Sequence, residues 1–461
     1  MRNHVRVGFL VAASLVTLSA AAIAQSRPPN IVVIVGDDLG YADVGFHGAT
    51  DIPTPNLDAL ARGGIRFTDA YVTGPYCSPT RAGLLTGRYP QRFGHEFNMG
   101  VQPGLGLPSE ETTLADRLKS AGYRTALFGK WHLGADADHH PLSRGFDEFF
   151  GFLGGEHSYL DVMAESNNPV MDGRKPAQPI DYLTDAVSDR AVDFIKRNRN
   201  QPFFLYVAFN AVHTPMHATD KYLTRFANIS NQQRRTYAAM LSAMDDGIGR
   251  TIAALRENDL EENTLIVFFS DNGGPTMQGT TINGSSNAPL RGSKRQTWEG
   301  GIRVPFVIRW KGKLPENRVD SRPIIQLDVL PTVLTAAGVR VQPDWKLDGV
   351  SLIPFLTTQP NALPHDVLYW RLGSHMAIRS GDWKLVLTSD GPLRANYDDL
   401  KDLSKAQLFN LKNDIGEKTD LSTEFPDRKK ELADRWQRWN QQLSAPRWGA
   451  GGAGSGIRDF E

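Results

Sequence analysis

Short apolar runs rich in β-branched and aromatic residues alternate with longer amphipathic stretches from residue 30 to about residue 340. Such alternation predicts βαβ units around a buried, mainly parallel sheet. "NIVVIVGDD" reads as a strand over Ile31–Val35 running into Gly36 and two acids. "YRTALFGKWHLG" reads as a strand around Thr125–Phe128 that gives way to Lys130 and His132. "PFFLYVAFNAVHTP" is a strand around Phe203–Phe209 leading to His213, and "TLIVFFSDNGG" a strand around Leu265–Phe269 delivering Asp271 and Asn272. "NLDALARGG" and "YAAMLSAMDDGIGRTIAALREN" supply helices between them. Beyond about residue 340 the texture changes. "AIRSGDWKLVLT" and "AQLFNLKND" read as short antiparallel strands, and "FPDRKKELADRWQRWNQQL" as a closing amphipathic helix. The expected fold is α/β: a large mixed, mainly parallel sheet sandwiched by helices, with a smaller C-terminal α+β subdomain. The expected boundaries are 25–340 for the main domain, 341–445 for the subdomain and 446–461 for a flexible Gly-rich tail.

Four strands thus end in side chains suited to chemistry rather than packing. Ligands of open α/β sheets bind outside the carboxyl ends of the strands, so these groups are expected to converge on one edge. Asp37, Asp38, Asp271 and Asn272 offer only oxygen, the donor that hard divalent cations such as Ca²⁺ or Mg²⁺ select.

Charge adds a bound. Lys plus Arg equals Asp plus Glu, 51 against 51, so no general field draws nucleic acid or anionic lipid, and any anion site has to be a local cluster. Residues 1–24, "MRNHVRVGFLVAASLVTLSAAAIA", carry Arg2 and Arg6, an apolar stretch and Ala22-Ile23-Ala24 before Gln25. This reads as a signal peptide rather than an anchor, and no later segment is apolar for long enough to span a bilayer. The expectation is an exported chain, periplasmic or secreted and not membrane-embedded.

In such a compartment the single cysteine, Cys77, stands out, because it cannot close an intramolecular disulfide. It lies in "GPYCSPTRAGLLTGRYP", with Pro79 suited to the first turn of a helix. A helix N-terminus favours an anion beside residue 77, and Arg81, one turn on, adds a forked cation. The alternative reading is a buried structural thiol.

"CSPTRAGLLTGRYP" resembles the first signature of the sulfatase family, C-x-P-x-R followed by a Gly-containing helix, and "GYRTALFGKWHLG" resembles the second. "TPNLDALARGGIRFTDAY", "SDNGG", "PLRGSKRQTWEGGIRVP", "QLDVLPTVL", "DGVSLIPFL", "RSGDWKLV" and "LFNLKNDIGEKTDLS" are similar to further family blocks in the family's order, so the likeness covers most of the chain. It implies an alkaline-phosphatase-like fold and a sulfuric ester hydrolase acting on sulfated carbohydrates, with aryl sulfates as artificial substrates. It implies that a separate modifying enzyme oxidises Cys77 to formylglycine (3-oxoalanine). One hydroxyl of the hydrated aldehyde then attacks sulfur in line, and loss of the other's proton expels sulfate. By the same resemblance Asp37, Asp38, Asp271 and Asn272 hold Ca²⁺, in preference to Mg²⁺, with modified Cys77 as a further ligand. Arg81 and Lys130 steady the formylglycine and substrate oxygens, and His132 takes the second hydroxyl's proton. His213 protonates the leaving alcohol, and Lys294, in "PLRGSK", binds the sulfate group. Arg295 departs from the family pattern, which commonly has glycine there. Two other readings use the same site: a formylglycine-dependent phosphodiester or phosphonate ester hydrolase, and a non-catalytic sulfated-glycan-binding protein.

Weaker signals remain. His213 and His217 have the spacing of a zinc pair, but Pro215 between them argues for a loop. His139 and His140 read as surface or loop residues, with a place in the substrate pocket as the alternative, and His157 as part of a Gly-rich turn or the substrate mouth. Trp436 and Trp439 read as packing. "NIS" at Asn228 and "NGS" at Asn283 are sequons that matter only in a host that glycosylates.

Overall fold

Every residue of Asn30–Gly36 is buried, which is why its sequence is an unbroken apolar run rather than an alternating one. In the computed structural model, which describes residues 27–164, 166–389 and 397–449, this strand is central to a ten-stranded sheet. The expected signal peptide lies outside the described residues. Thr264–Ser270, Asn30–Gly36, Phe203–Ala208, Arg124–Lys130 and Glu148–Phe152 run parallel side by side. Phe306–Trp310 joins the Thr264–Ser270 edge antiparallel and Ile65–Phe67 follows it. The sheet is therefore mixed and mainly parallel, as expected.

Successive side chains point to opposite faces, and each face has its own core. Ile31, Val33 and Val35 pack with Ala82, Leu84 and Leu85 of the helix Cys77–Thr86 and with residues of Leu114–Ser120 and Val329–Ala336. Val32 and Ile34 pack with the helices Leu183–Arg197 and Gln232–Glu257. The longer of these starts where Asn231 Oδ1 accepts the Arg234 N–H at 2.9 Å, a side-chain cap on a free helix-end donor.

A second sheet is antiparallel and four-stranded: Leu368–Leu372, His375–Ser380, Trp383–Leu387 and Gln407–Asn410. The helix Pro426–Asn440 covers it, with Trp436 0% and Trp439 4% exposed, so both tryptophans are packing residues. Lys384, wholly buried, joins this sheet to the main body: its Nζ lies 2.9 Å from Glu299 Oε1 and 2.8 Å from Glu417 Oε1. The tail expected to be loose from residue 446 begins otherwise. Trp448 is 3% exposed, and its Nε1–H donates to Phe97 O at 2.9 Å, because an indole outweighs the Gly-rich composition around it. Residues 450–461 lie outside the described residues. No described helix is long and apolar enough to cross a membrane.

Candidate active site

Parallel register brings the strand ends level: Val35 pairs with Ala208, Gly36 with Ser270, and Ala208 with Gly129. Asp37 and Asp38 therefore emerge beside Asp271 and Asn272, with Lys130 two strands away. The pairing continues past the strands, since Asp37 N–H donates to Ala211 O at 3.0 Å and Val212 N–H to Asp37 O at 2.7 Å. His213 sits in the turn that follows, its N–H donating to Asn210 O at 2.8 Å. Asp38 has a left-handed backbone, φ 59°, uncommon for a residue with a Cβ, and its N–H points to Asp271 Oδ1 at 3.3 Å.

The helix Cys77–Thr86 begins at this edge, and all its residues are buried. Cys77 Sγ lies 3.6 Å from Asp37 Oδ1. Burial pushes the thiol pKa far up, so the unmodified side chain stays a thiol and is a poor nucleophile. Arg81, one turn on, donates Nε and Nη2 to Asp271 Oδ2 at 3.1 and 2.7 Å, and Nη1 to Lys130 O at 3.0 Å.

Two buried lysines flank the acids. Lys130 Nζ lies 2.6 Å from Asp37 Oδ2, and Lys294 Nζ 3.0 Å from Asp38 Oδ2 and 3.2 Å from His213 Nε2. Burial and then Asp271 push Asp37 up to about 7, against Lys130 and Arg81. Burial would also raise Asp38, but the neighbouring cations, Lys294 foremost and then Lys130, outweigh it and bring it down to about 2. His213 is driven down to about 3 by burial and by Lys294, so it is neutral. Its Nδ1 donates to Thr214 O at 2.7 Å, which leaves Nε2 as the acceptor facing the Lys294 ammonium.

Ligand atoms of Asp37, Asp38, Cys77 and His213 lie within 4.8 Å of one another. Among the described residues Asn272 Oδ1 is buried without a hydrogen-bond partner, while its Nδ2 donates to Asp38 Oδ1 at 2.7 Å. Carboxylates crowded together beside an orphaned amide oxygen form a donor set that fits a hard divalent cation. His217 is not in this cluster; its Nδ1 faces Ser158 Oγ at 3.5 Å.

His132, φ 58°, donates Nε2–H to Met99 O at 3.0 Å, and its buried Nδ1 has no partner among the described residues. Burial, then Lys130 and Arg81, hold it neutral, so Nδ1 carries a free lone pair. Arg295 has φ 76°, the region glycine enters without steric cost, which accounts for the glycine the family commonly has there. Its guanidinium lies over Tyr76 and donates to Gly279 O at 2.9 Å. His140 corrects its surface reading: it is 4% exposed, edge-on to Phe149. His157 is also buried, its ring 5.4 Å from that of Phe152.

Residues unread in the sequence also reach the site. Thr281 Oγ1 lies 3.4 Å from Asp38 Oδ2 and 3.3 Å from Lys294 Nζ. Ser78 Oγ lies 2.6 Å from His95 Nε2 and 2.7 Å from His132 O. Asn283, read as a sequon, is wholly buried against Asp38, whereas Asn228 is exposed.

Residues 29–339 match the Sulfatase family model, and residues 292–435 match that of the N-sulphoglucosamine sulphohydrolase C-terminal region. The chain is 36% identical over 400 residues to N-acetylgalactosamine-6-sulfatase of Canis lupus familiaris, covering 80% of this chain and 74% of that one. It is 32% identical over 567 residues to steryl-sulfatase of Mus musculus, covering 94% and 88%. Among solved structures, Ps i-CgsB in complex with k-i-k-neocarrahexaose superposes with a TM-score of 0.84 at 38% identity, covering 92% of this chain and 95% of that one. The PsFucS1 sulfatase from Pseudoalteromonas sp. superposes with a TM-score of 0.76 at 27% identity, covering 91% of each chain.

Proposed function

The chain belongs to the sulfatase family of sulfuric ester hydrolases, and on that premise we propose that it hydrolyses sulfate esters of carbohydrates, using formylglycine made from Cys77 and a resident Ca²⁺. The observation that carries the reading is Cys77 Sγ 3.6 Å from Asp37 Oδ1, inside an oxygen-rich cluster flanked by Arg81, Lys130 and Lys294. A carbohydrate substrate is supported by the neocarrahexaose bound to the structural neighbour and by the amino-sugar sulfatase among the relatives. Maturation then requires a formylglycine-generating partner. The leader at 1–24 fits export to the periplasm or beyond.

Asp37, Asp38, Asp271 and Asn272 would hold the ion, whose fixed charge would draw the sulfate oxygens and ease deprotonation of its neighbours. The aldehyde hydrate would supply the attacking hydroxyl and an internal route for releasing sulfate. The remaining work falls to groups seen in place. Lys294, Lys130 and Arg81, all buried, set three cations beside the carboxylates, where their fixed charge would stabilise the sulfate without reorganisation. The His213–Lys294 pair, 3.2 Å apart, delivers a proton to the leaving oxygen. His132 Nδ1 accepts the proton whose loss releases sulfate.

The test is the mass of the peptide holding Cys77, with sulfate release from para-nitrophenyl sulfate measured on the same preparation. Conversion to the aldehyde lowers that mass, and the converted protein is expected to release sulfate faster than it cleaves an aryl phosphodiester. Cys77→Ala is expected to fold and to be inactive; near-normal turnover in that variant overturns the reading.

A further inference from the structure

Asp38 and His213 follow different strands, and the backbone pairing between those strands ends one residue short of each, at Asp37 and Val212. After its left-handed turn Asp38 directs its carbonyl away from the ladder, and the Val212 carbonyl, one residue before His213, is likewise outside it. Both find the same partner. Asn283 Nδ2 lies 3.2 Å from Asp38 O and 2.8 Å from Val212 O, one N–H for each, while its Oδ1 accepts the Ser285 N–H at 3.0 Å. The side chain is wholly buried, and neither carbonyl has another hydrogen-bond partner among the described residues.

We propose that Asn283 is a positioning residue: its amide clamps the carbonyls of Asp38 and Val212 and so sets the cation-site carboxylate against His213, through whose Nε2 the leaving-group proton passes. The proposal rests on the sulfatase reading above. A single primary amide is the side chain that can give two N–H groups to carbonyls and keep an acceptor for its own turn. Without it, two buried carbonyls lose their partners, and beyond the Asp37–Val212 pairing the His213 turn and the Asp38 turn are held less tightly against each other. A displacement of about 1 Å in a reacting group costs on the order of 100-fold in rate.

Asn283→Asp keeps the acceptor for Ser285 and removes both donors; Asn283→Ala removes everything. Each would be assayed on phenyl sulfate, whose leaving group needs a proton, and on para-nitrophenyl sulfate, whose leaving group needs it far less. The ratio of the two kcat/KM values does not depend on how much of a preparation is folded. Both variants are expected to shift that ratio about 10–100-fold against phenyl sulfate. Both are also expected to show a smaller rise in Tm on adding Ca²⁺ than the parent. A parent-like ratio in either variant overturns the proposal, as does a variant too unfolded to give any activity, which makes Asn283 a structural residue only. Failure of the sulfatase reading looks different, because the parent itself then releases no sulfate.

Discussion

Lys130 Nζ lies 2.6 Å from Asp37 Oδ2, and both side chains are wholly buried. The lysine closes one strand and the acid follows another, so the contact exists only because Arg124–Lys130 and Asn30–Gly36 flank Phe203–Ala208 in register. Removing one partner of a buried pair leaves an uncompensated charge, at about 3–5 kcal/mol. Arg81 Nη2 remains 3.7 Å from the same oxygen, which places Lys130→Met near the lower end, about 3 kcal/mol. The urea midpoint should fall accordingly, and added Ca²⁺ should restore part of it by reaching the same carboxylate. A midpoint equal to the parent's would show that Asp37 does not depend on the ammonium.

His95 makes a pH prediction whose sign is fixed by hydrogen bonding. Ser78 has one hydroxyl proton, which goes to His132 O at 2.7 Å, so His95 donates from Nε2 and remains neutral. Its Nδ1 is buried without a partner among the described residues, and burial, reinforced by Arg447, drives the pKa down to about 3 from 6.5. Between those values the unfolded chain holds a proton that the native chain lacks. Stability from this group is thus complete above pH 6.5 and declines as pH falls towards 3, at about 1.4 kcal/mol per pH unit. His95→Gln should flatten the fall in unfolding free energy across that window by about one proton's slope. Identical slopes in parent and variant would mean the imidazole titrates normally.

The four central strands were legible because burial on both faces forces continuous apolar runs, and the strand-end acids stood out by interrupting them. Their observed limits differ from the reading by only one or two residues, as with Arg124–Lys130 against Thr125–Phe128. Leu368–Leu372 escaped notice because Trp370 and Arg371 break its pattern, and both are buried for reasons outside the strand. Trp370 Nε1 reaches Val72 O at 2.7 Å, and Arg371 pairs with Glu96 at 2.7 Å. Thr281 and Asn283 were illegible for another reason: "QGTTINGSSNAPL" has no periodicity, and its side chains reach Asp38 only through tertiary folding. A sequon with a buried, doubly engaged amide cannot be told from an exposed one by sequence alone.

Lys384 shares its ammonium between Glu299 and Glu417, with all three side chains wholly buried. Burial pushes Glu417 up to about 7 even with Lys384 beside it. Lys384→Met should therefore cost about 3–5 kcal/mol, and the double variant Lys384→Met with Glu417→Gln should recover part of that by removing a stranded charge. Thermal unfolding of the single and double variants measures the coupling. Strict additivity of the two substitutions would mean the buried charges do not interact.

His213 is where geometry and chemistry constrain each other most. Its Nδ1–H is committed to Thr214 O at 2.7 Å, so proton delivery has to pass through Nε2, which faces Lys294 Nζ at 3.2 Å. A leaving oxygen that carries its negative charge easily gains little from that proton, whereas a poor leaving group depends on it in the transition state. General acid assistance is worth about 10²–10⁴-fold where it operates. His213→Ala should accordingly lower kcat/KM by about that factor for sugar or phenyl sulfates, and by much less for para-nitrophenyl sulfate. A plot of log kcat/KM against leaving-group pKa across a series of aryl sulfates should be steeper in the variant than in the parent. Parallel lines, with equal losses across the series, would assign His213 to sulfate binding and leave the proton to another donor.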